Sequence, residues 1–201
     1  MNAGTLMRLL AGIMVGQQGR TVLDGDDSLR RRPMSRIAIP LTAMGAHVDT
    51  VTGGVPPRTI DGGRPLRGVR HTLTVASGQV KSCLLLAGLF AEGETWVTEP
   101  EHSRDHTERM LEAAGVTILR GGPTTVGVRG PVTSLRLPDL TVPGDFSSAA
   151  FHLVAGTLCA DPQILLEGVN LNPTRTGLLS VLERMGAQIE VRQRPPAAGE
   201  P

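Results

Sequence analysis

The sequence predicts an α/β repeat protein, and three observations carry that reading. Helical patterns that stop at glycine alternate with short β-rich runs along the chain. An Ala-Gly step recurs at Ala11-Gly12, Ala87-Gly88 and Ala155-Gly156. A helix-stopping glycine recurs at Gly45, Gly115 and Gly186. Both series advance by about 70 residues, and agreement at two independent positions is the mark of an internal repeat.

Composition supports a packed core and removes several classes. The chain has 201 residues, 40% of them hydrophobic, with a formal net charge of +1, which excludes a disordered or collagen-like polymer. With three Phe, one Trp and no Tyr, the core must be aliphatic and there is little aromatic surface on which to stack bases. No apolar run reaches the length of a membrane span and no secretory leader is recognisable, so a cytoplasmic protein is expected. Cys83 and Cys159 both fall in apolar helical patterns and read as small buried hydrophobes. No metal-binding spacing is present, and His102 and His106 read as exposed histidines.

Taken in order, the first unit opens on a polar turn, Asn2 to Thr5, followed directly by a helix through Gly12. A β run follows over 19–25, then a helix over 33–44 with Pro40 inside it, then β runs over 47–51 and 71–75. The second unit has a helix over 77–90, a strand over 93–98, a helix over 104–115 that Ser103 caps, and β runs over 116–119, 125–128 and 135–137. The third has a helix from Asp145 to Gly156, a strand over 163–167 and a helix over 174–185. The tail from Arg192 is aperiodic, and both ends read as cut. In each unit two helices cover one face of a small mixed sheet, so burial requires the copies to stack helix against helix.

The candidate chemistry lies at helix starts. Asn2, Gly4 and Thr5 open the first unit's helix, and Ser77, Gly78 and Gln79 open the second's. Free N–H groups, hydroxyls and an unobstructed glycine backbone at such a place can hold the oxygens of a phosphate or carboxylate. Ordinary capping is the alternative for each. Arg30, Arg31 and Arg32 stand just before the 33–44 helix, where cations oppose the helix dipole unless an anion faces them. Arg104 and His106 open the 104–115 helix, Asp145 reads as a cap, and Asn170, Asn172, Thr174 and Arg175 form a polar turn. No nucleophile–base–acid triad, Walker loop or dinucleotide fingerprint occurs. The residues therefore describe an α/β repeat protein that binds a small, multiply anionic ligand.

Asn2-Ala3-Gly4-Thr5, Arg32-Pro33-Met34, Ser77-Gly78-Gln79-Val80-Lys81-Ser82, Ser103-Arg104-Asp105-His106-Thr107-Glu108, Pro143-Gly144-Asp145-Phe146-Ser147-Ser148 and Asn172-Pro173-Thr174-Arg175 together resemble the 3-phosphoshikimate 1-carboxyvinyltransferase (EPSP synthase) family. The resemblance spans nearly the whole chain. It implies repeated βαβαββ units of the enolpyruvyl transferase (inside-out α/β barrel) fold, with an incomplete two-domain architecture: 1–141 as two repeats of one domain and 142–201 as the return into the other. It implies transfer of the enolpyruvyl group of phosphoenolpyruvate to the 5-hydroxyl of shikimate 3-phosphate with release of phosphate, no cofactor or metal, and glyphosate as inhibitor. Position by position, Asn2, Gly4, Arg32 and Gln79 resemble phosphoenolpyruvate contacts, and Ser77, Gln79, Thr98 and Arg104 resemble shikimate 3-phosphate contacts. Gly78 departs from the alanine or serine commoner in the family. The catalytic aspartate and glutamate are expected beyond this chain, which alone is expected to be inactive. The related UDP-N-acetylglucosamine enolpyruvyl transferases fit less well, because their reactive-cysteine loop has no counterpart here.

Overall fold

The computed structural model describes residues 3–51, 53–137, 139–159, 163–196 and 199–201. The chain divides into two compact units, Met1–Ser103 with Val116–Leu135, and Arg104–Gly115 with Arg136–Pro201. In chain order the elements are α1 (Gly4–Met14), β1 (Gly19–Leu23), α2 (Asp27–Arg30), α3 (Ser35–Ala43), β2 (His47–Val51), β3 (Val55–Gly62), β4 (Leu66–Arg67), β5 (Arg70–Thr72), α4 (Gly78–Gly88), β6 (Ala91–Thr98), α5 (His106–Ala113), β7 (Ile118–Gly122), β8 (Thr125–Gly130), α6 (Phe146–Leu158) and α7 (Gly177–Arg184). Among them no helix is long and apolar enough to cross a membrane.

The first unit is built around α4. Every residue from Val80 to Gly88 is buried, as expected of a helix apolar on all sides. It packs on α1 and α3 on one side and on β6 and β8 on the other; the unit has two sheets. One sheet is three-stranded, β1-β3-β2, and antiparallel throughout. The other runs β4-β6-β8-β7 with β5 also on β6, parallel at β4 and β5 and antiparallel at β7 and β8. Leu84, Leu85, Ile37, Leu41, Ile60, Val97 and Val128 form the centre of the core, each with 0% exposure.

The recurring glycines have physical causes. Gly45, Gly115 and Gly186 follow α3, α5 and α7 with φ of 101°, 89° and 95°, the left-handed position that closes a helix. Gly12 and Gly88 are close-approach sites. A Cβ on Gly12 would lie 2.1 Å from the Cys83 carbonyl oxygen, and one on Gly88 would lie 2.7 Å from Val128 Cγ2.

Several sequence expectations change. β3 was not foreseen, because Pro56 and Pro57 argue against a central strand. The structure accommodates them where the β2–β3 register shifts, between the Thr50–Arg58 and Val51–Val55 pairs, so neither proline is asked for a ladder N–H. The runs over 135–137 and 163–167 are not strands; Leu137 and Leu165 are 62% and 81% exposed, and β propensity yields a strand only where an edge receives it. The 71–75 run pairs only as far as Thr72. Ser103 does not cap α5, whose N-cap is Asp105. Cys159 is exposed at the end of α6, unlike Cys83, whose thiol burial pushes up to about 12.

The second unit contains α5, α6 and α7, with α6 against α7. Asp145 caps α6 by accepting from the Ser148 N–H at 3.1 Å, and Gly144 bridges Val169.

Because the Gly12 Cβ would strike backbone, which cannot swing aside, Gly12→Ala is expected to destabilise the chain by about 2 kcal/mol. Urea unfolding measures this; a variant as stable as the parent would contradict the close α1–α4 contact.

Candidate functional site

In the first unit the starts of α1 and α4 meet. Gln79 Nε2 donates to Thr5 Oγ1 at 2.8 Å, and Gln79 Oε1 accepts from Arg8 Nη1 at 3.0 Å. Arg8 also donates to the Gly4 and Pro33 carbonyls at 3.2 and 3.3 Å. Gly4 is buried, and a Cβ built there would lie 3.1 Å from both Arg8 Nη1 and Arg32 Nη1. Glycine therefore leaves the space into which two guanidinium groups lean. No side chain among the described residues caps α1, and no acidic residue stands in its first turn, so its leading N–H groups remain available to an anion. Burial lowers the Arg8 pKa, and Arg32 and Arg36 lower it further by repulsion. This is a cationic cluster that an anion would relieve.

Arg30 does not stand before a helix N-terminus as its place in the sequence suggests. Arg30 is in the last turn of α2 and pairs with Asp24 across 2.5 Å, so it sits at a helix C-terminus where cations are favoured. Only Arg32 reaches the Gly4 position.

Ser77 is held from two sides. Its Oγ accepts from the Val80 N–H at 3.4 Å, which is helix capping, while its own N–H donates to Glu99 Oε1 at 2.8 Å. The hydroxyl proton is left to donate elsewhere. Glu99 Oε2 accepts from Ser103 Oγ at 2.7 Å and lies 3.1 Å from Lys81 Nζ. The side chains of Lys81 and Glu99 are 5% and 3% exposed, so this is a buried ion pair that ties the start of α4 to the end of β6. Thr98, one residue earlier, shares a 3.0 Å hydroxyl contact with Thr125.

In the second unit burial lowers the Arg104 pKa, Arg175 lowers it further, and Asp145 opposes both. Arg175 bonds Ser147 and lies 3.4 Å from Asp145. For Asp105, burial pushes the carboxyl pKa up, yet the Asn172 amide and Arg109 outweigh it and hold it below the usual range. His106 Nδ1 is 2.8 Å from Glu200. Arg104 and Arg175 thus form a second cationic place, where the sequence foresaw Arg104 and read Arg175 as part of a polar turn.

Asn2 lies outside the described residues. Gly4, Arg32 and Gln79 come together in the first unit, beside Arg8, a residue the sequence does not single out. Its position one helical turn after Gly4 was the available signal. Ser77 and Thr98 are also in the first unit and Arg104 in the second. For a metal, the group of described residues with matching ligand atoms is His47, Asp49 and Asp61, within 4.8 Å of one another; His47 bonds Asp61 and Arg20 pairs with it.

The model of the family described as EPSP synthase (3-phosphoshikimate 1-carboxyvinyltransferase) matches residues 1–197. The chain belongs to that family. It is 54% identical over its whole length to the 3-phosphoshikimate 1-carboxyvinyltransferase of Thermus thermophilus, covering 47% of that relative. It is 50% identical to that of Alkalilimnicola ehrlichii, covering 44%. Among solved structures, the EPSP synthase from Acinetobacter baumannii superposes with a TM-score of 0.88 at 48% identity, over 99% of this chain and 45% of that one. The expected enolpyruvyl transferase fold is thereby established, and the chain spans about half the length of the curated relatives it matches.

Removing one member of a buried ion pair leaves the other charge uncompensated. Glu99→Gln is expected to cost about 3 kcal/mol or more, and Lys81→Met with Glu99→Leu together is expected to recover most of that. Denaturant unfolding of the parent and the two variants decides it; a Glu99→Gln cost below about 1 kcal/mol would remove the pair from its organising role.

Proposed function

We propose that this chain provides part of the substrate site of an enolpyruvyl transferase that joins phosphoenolpyruvate to the 5-hydroxyl of shikimate 3-phosphate and releases phosphate. The observation that supports it most is the convergence of Gly4, Arg8, Arg32 and Gln79 where two helices begin. Asn2, Gly4, Arg32 and Gln79 face phosphoenolpyruvate in this reading, with Arg8 added to the set. Ser77, Gln79, Thr98 and Arg104 face shikimate 3-phosphate, so Gln79 stands between the substrates.

The chemistry requires such a set. Both substrates are multiply charged, and bringing them together works against their mutual repulsion. Arginines and helix N–H groups fixed before the ligands arrive offset that repulsion without reorganising during the reaction. The enol methylene takes a proton and becomes a methyl group while the 5-hydroxyl oxygen bonds to the adjacent carbon and loses its proton; the tetrahedral intermediate then expels phosphate as the methyl group gives up a proton, which restores the carbon–carbon double bond. The groups that move protons are assigned to segments outside this chain, so these residues bind and orient. In this reading residues 1–141 are two repeats of one domain, 142–201 return toward the other, the full-length enzyme is a cytoplasmic monomer, and glyphosate occupies the phosphoenolpyruvate place.

Calorimetric titration with shikimate 3-phosphate should detect binding to the isolated chain that Ser77→Ala and Arg104→Ala each weaken about tenfold or more. Phosphate release from the two substrates should be absent; turnover would contradict the division of labour, and a parent chain without binding would contradict the half-site. In the completed enzyme, a methyl group at Gly4 would push against both arginines, so Gly4→Ala should raise the glyphosate inhibition constant about tenfold or more. An unchanged constant would remove Gly4 from that place.

A further inference from the structure

Glu99 follows β6, and its side chain is 3% exposed. Its backbone N–H donates to the Thr124 carbonyl at 3.0 Å. Of its carboxylate oxygens, Oε2 accepts from Ser103 Oγ at 2.7 Å and lies 3.1 Å from Lys81 Nζ. With backbone and Oε2 held in this way, Oε1 accepts from the Ser77 N–H at 2.8 Å. An ion pair with Lys81 requires neither of the contacts to serine.

The two bonds at Ser77 are unequal. The Val80 N–H reaches Ser77 Oγ across 3.4 Å, beyond the usual range for an N–H···O bond. The bond from the Ser77 N–H to Glu99 is short and has an ionised acceptor, which makes it roughly twice as strong as a neutral one. The firmer hold on Ser77 therefore comes from Glu99 and not from the helix that Ser77 caps. Ser77 is half-buried and keeps its hydroxyl proton, which can be donated to an oxygen on its open side. A carboxylate this close to a serine that receives an anion would repel the anion. Lys81, whose N–H bonds the Ser77 carbonyl at 3.0 Å, faces that carboxylate with the opposite charge.

We propose that Glu99 is a positioning residue for the phosphate of shikimate 3-phosphate. It holds the Ser77 backbone where the Ser77 hydroxyl can donate to that phosphate, and Lys81 offsets the repulsion between the carboxylate and the phosphate. Glu99 touches no ligand, and the proposal rests on the reading of Ser77 as a shikimate 3-phosphate contact.

Calorimetric titration of the 201-residue chain with shikimate 3-phosphate and with shikimate tests this. The proteins are the parent, Ser77→Ala and two double variants, Lys81→Met with Glu99→Leu and Lys81→Met with Glu99→Gln. Both doubles remove the charge pair, and only glutamine keeps an oxygen for the Ser77 N–H. The leucine variant should unfold in urea near the parent's midpoint, yet weaken shikimate 3-phosphate about tenfold and shikimate no more than about threefold. The glutamine variant should stay within about threefold of the parent for both ligands. Parent-like binding of shikimate 3-phosphate by the leucine variant while Ser77→Ala weakens it, or equal losses for the two ligands, would make Glu99 a structural charge only. A loss in the glutamine variant as large as that in Ser77→Ala would overturn the proposal even where the leucine variant does not fold. A parent chain that does not bind shikimate 3-phosphate, or binding that Ser77→Ala leaves unchanged, would instead contradict the placement of Ser77, and this proposal with it.

Discussion

The burial of α4 is the constraint on which the first unit depends. A helix packed on two helices and two strands excludes water along its length, yet Lys81 lies within that packing and must bring its charge inside. Glu99 meets it, and the same carboxylate accepts from the Ser77 N–H and the Ser103 hydroxyl. One buried acid therefore serves the lysine, holds the capping residue Ser77 at the start of α4 and fixes the end of β6. A buried pair contributes little net stability against an apolar replacement, but it specifies one arrangement because every other leaves a charge unpaired. That arrangement puts Gln79 against α1.

The proposed anion site is the opposite case, in which guanidinium groups are gathered at one glycine. Gly4 leaves room for Arg8 and Arg32, and the start of α1 adds N–H groups. Stability alone would not arrange guanidinium groups in this way, since each repels the next. An anionic ligand turns the same arrangement into an attraction, so the cost carried by the free protein becomes affinity on binding.

What was legible in the sequence was local. The Ser77 cap, the Asp145 cap and the glycine stops at 45, 115 and 186 are written within one or two turns, and each forms as expected. The recurring glycines were legible because close packing demands them, Gly12 where α1 meets the backbone of α4 and Gly88 where α4 meets Thr95 and Val128 of β6 and β8. What was not legible depends on distant partners. β3 is a strand in spite of Pro56 and Pro57 because its register shift takes up the prolines. Arg8 finds Gln79 across 71 residues and Glu99 finds Ser77 across 22, and no pattern within either segment announces the pairing. The segments 135–137 and 163–167 carry strand propensity with no edge to join.

The joined starts of α1 and α4 are proposed to receive a multiply charged anion. Amide chemical-shift mapping by NMR, with phosphoenolpyruvate titrated into the isotopically labelled chain, tests it most directly. The predicted result is saturable shifts concentrated at the amides of Gly4, Thr5, Gly78 and Gln79, diminished when Arg8 is replaced by methionine. Shifts that leave these four amides unmoved while others saturate, or no saturable shift at all, would contradict it.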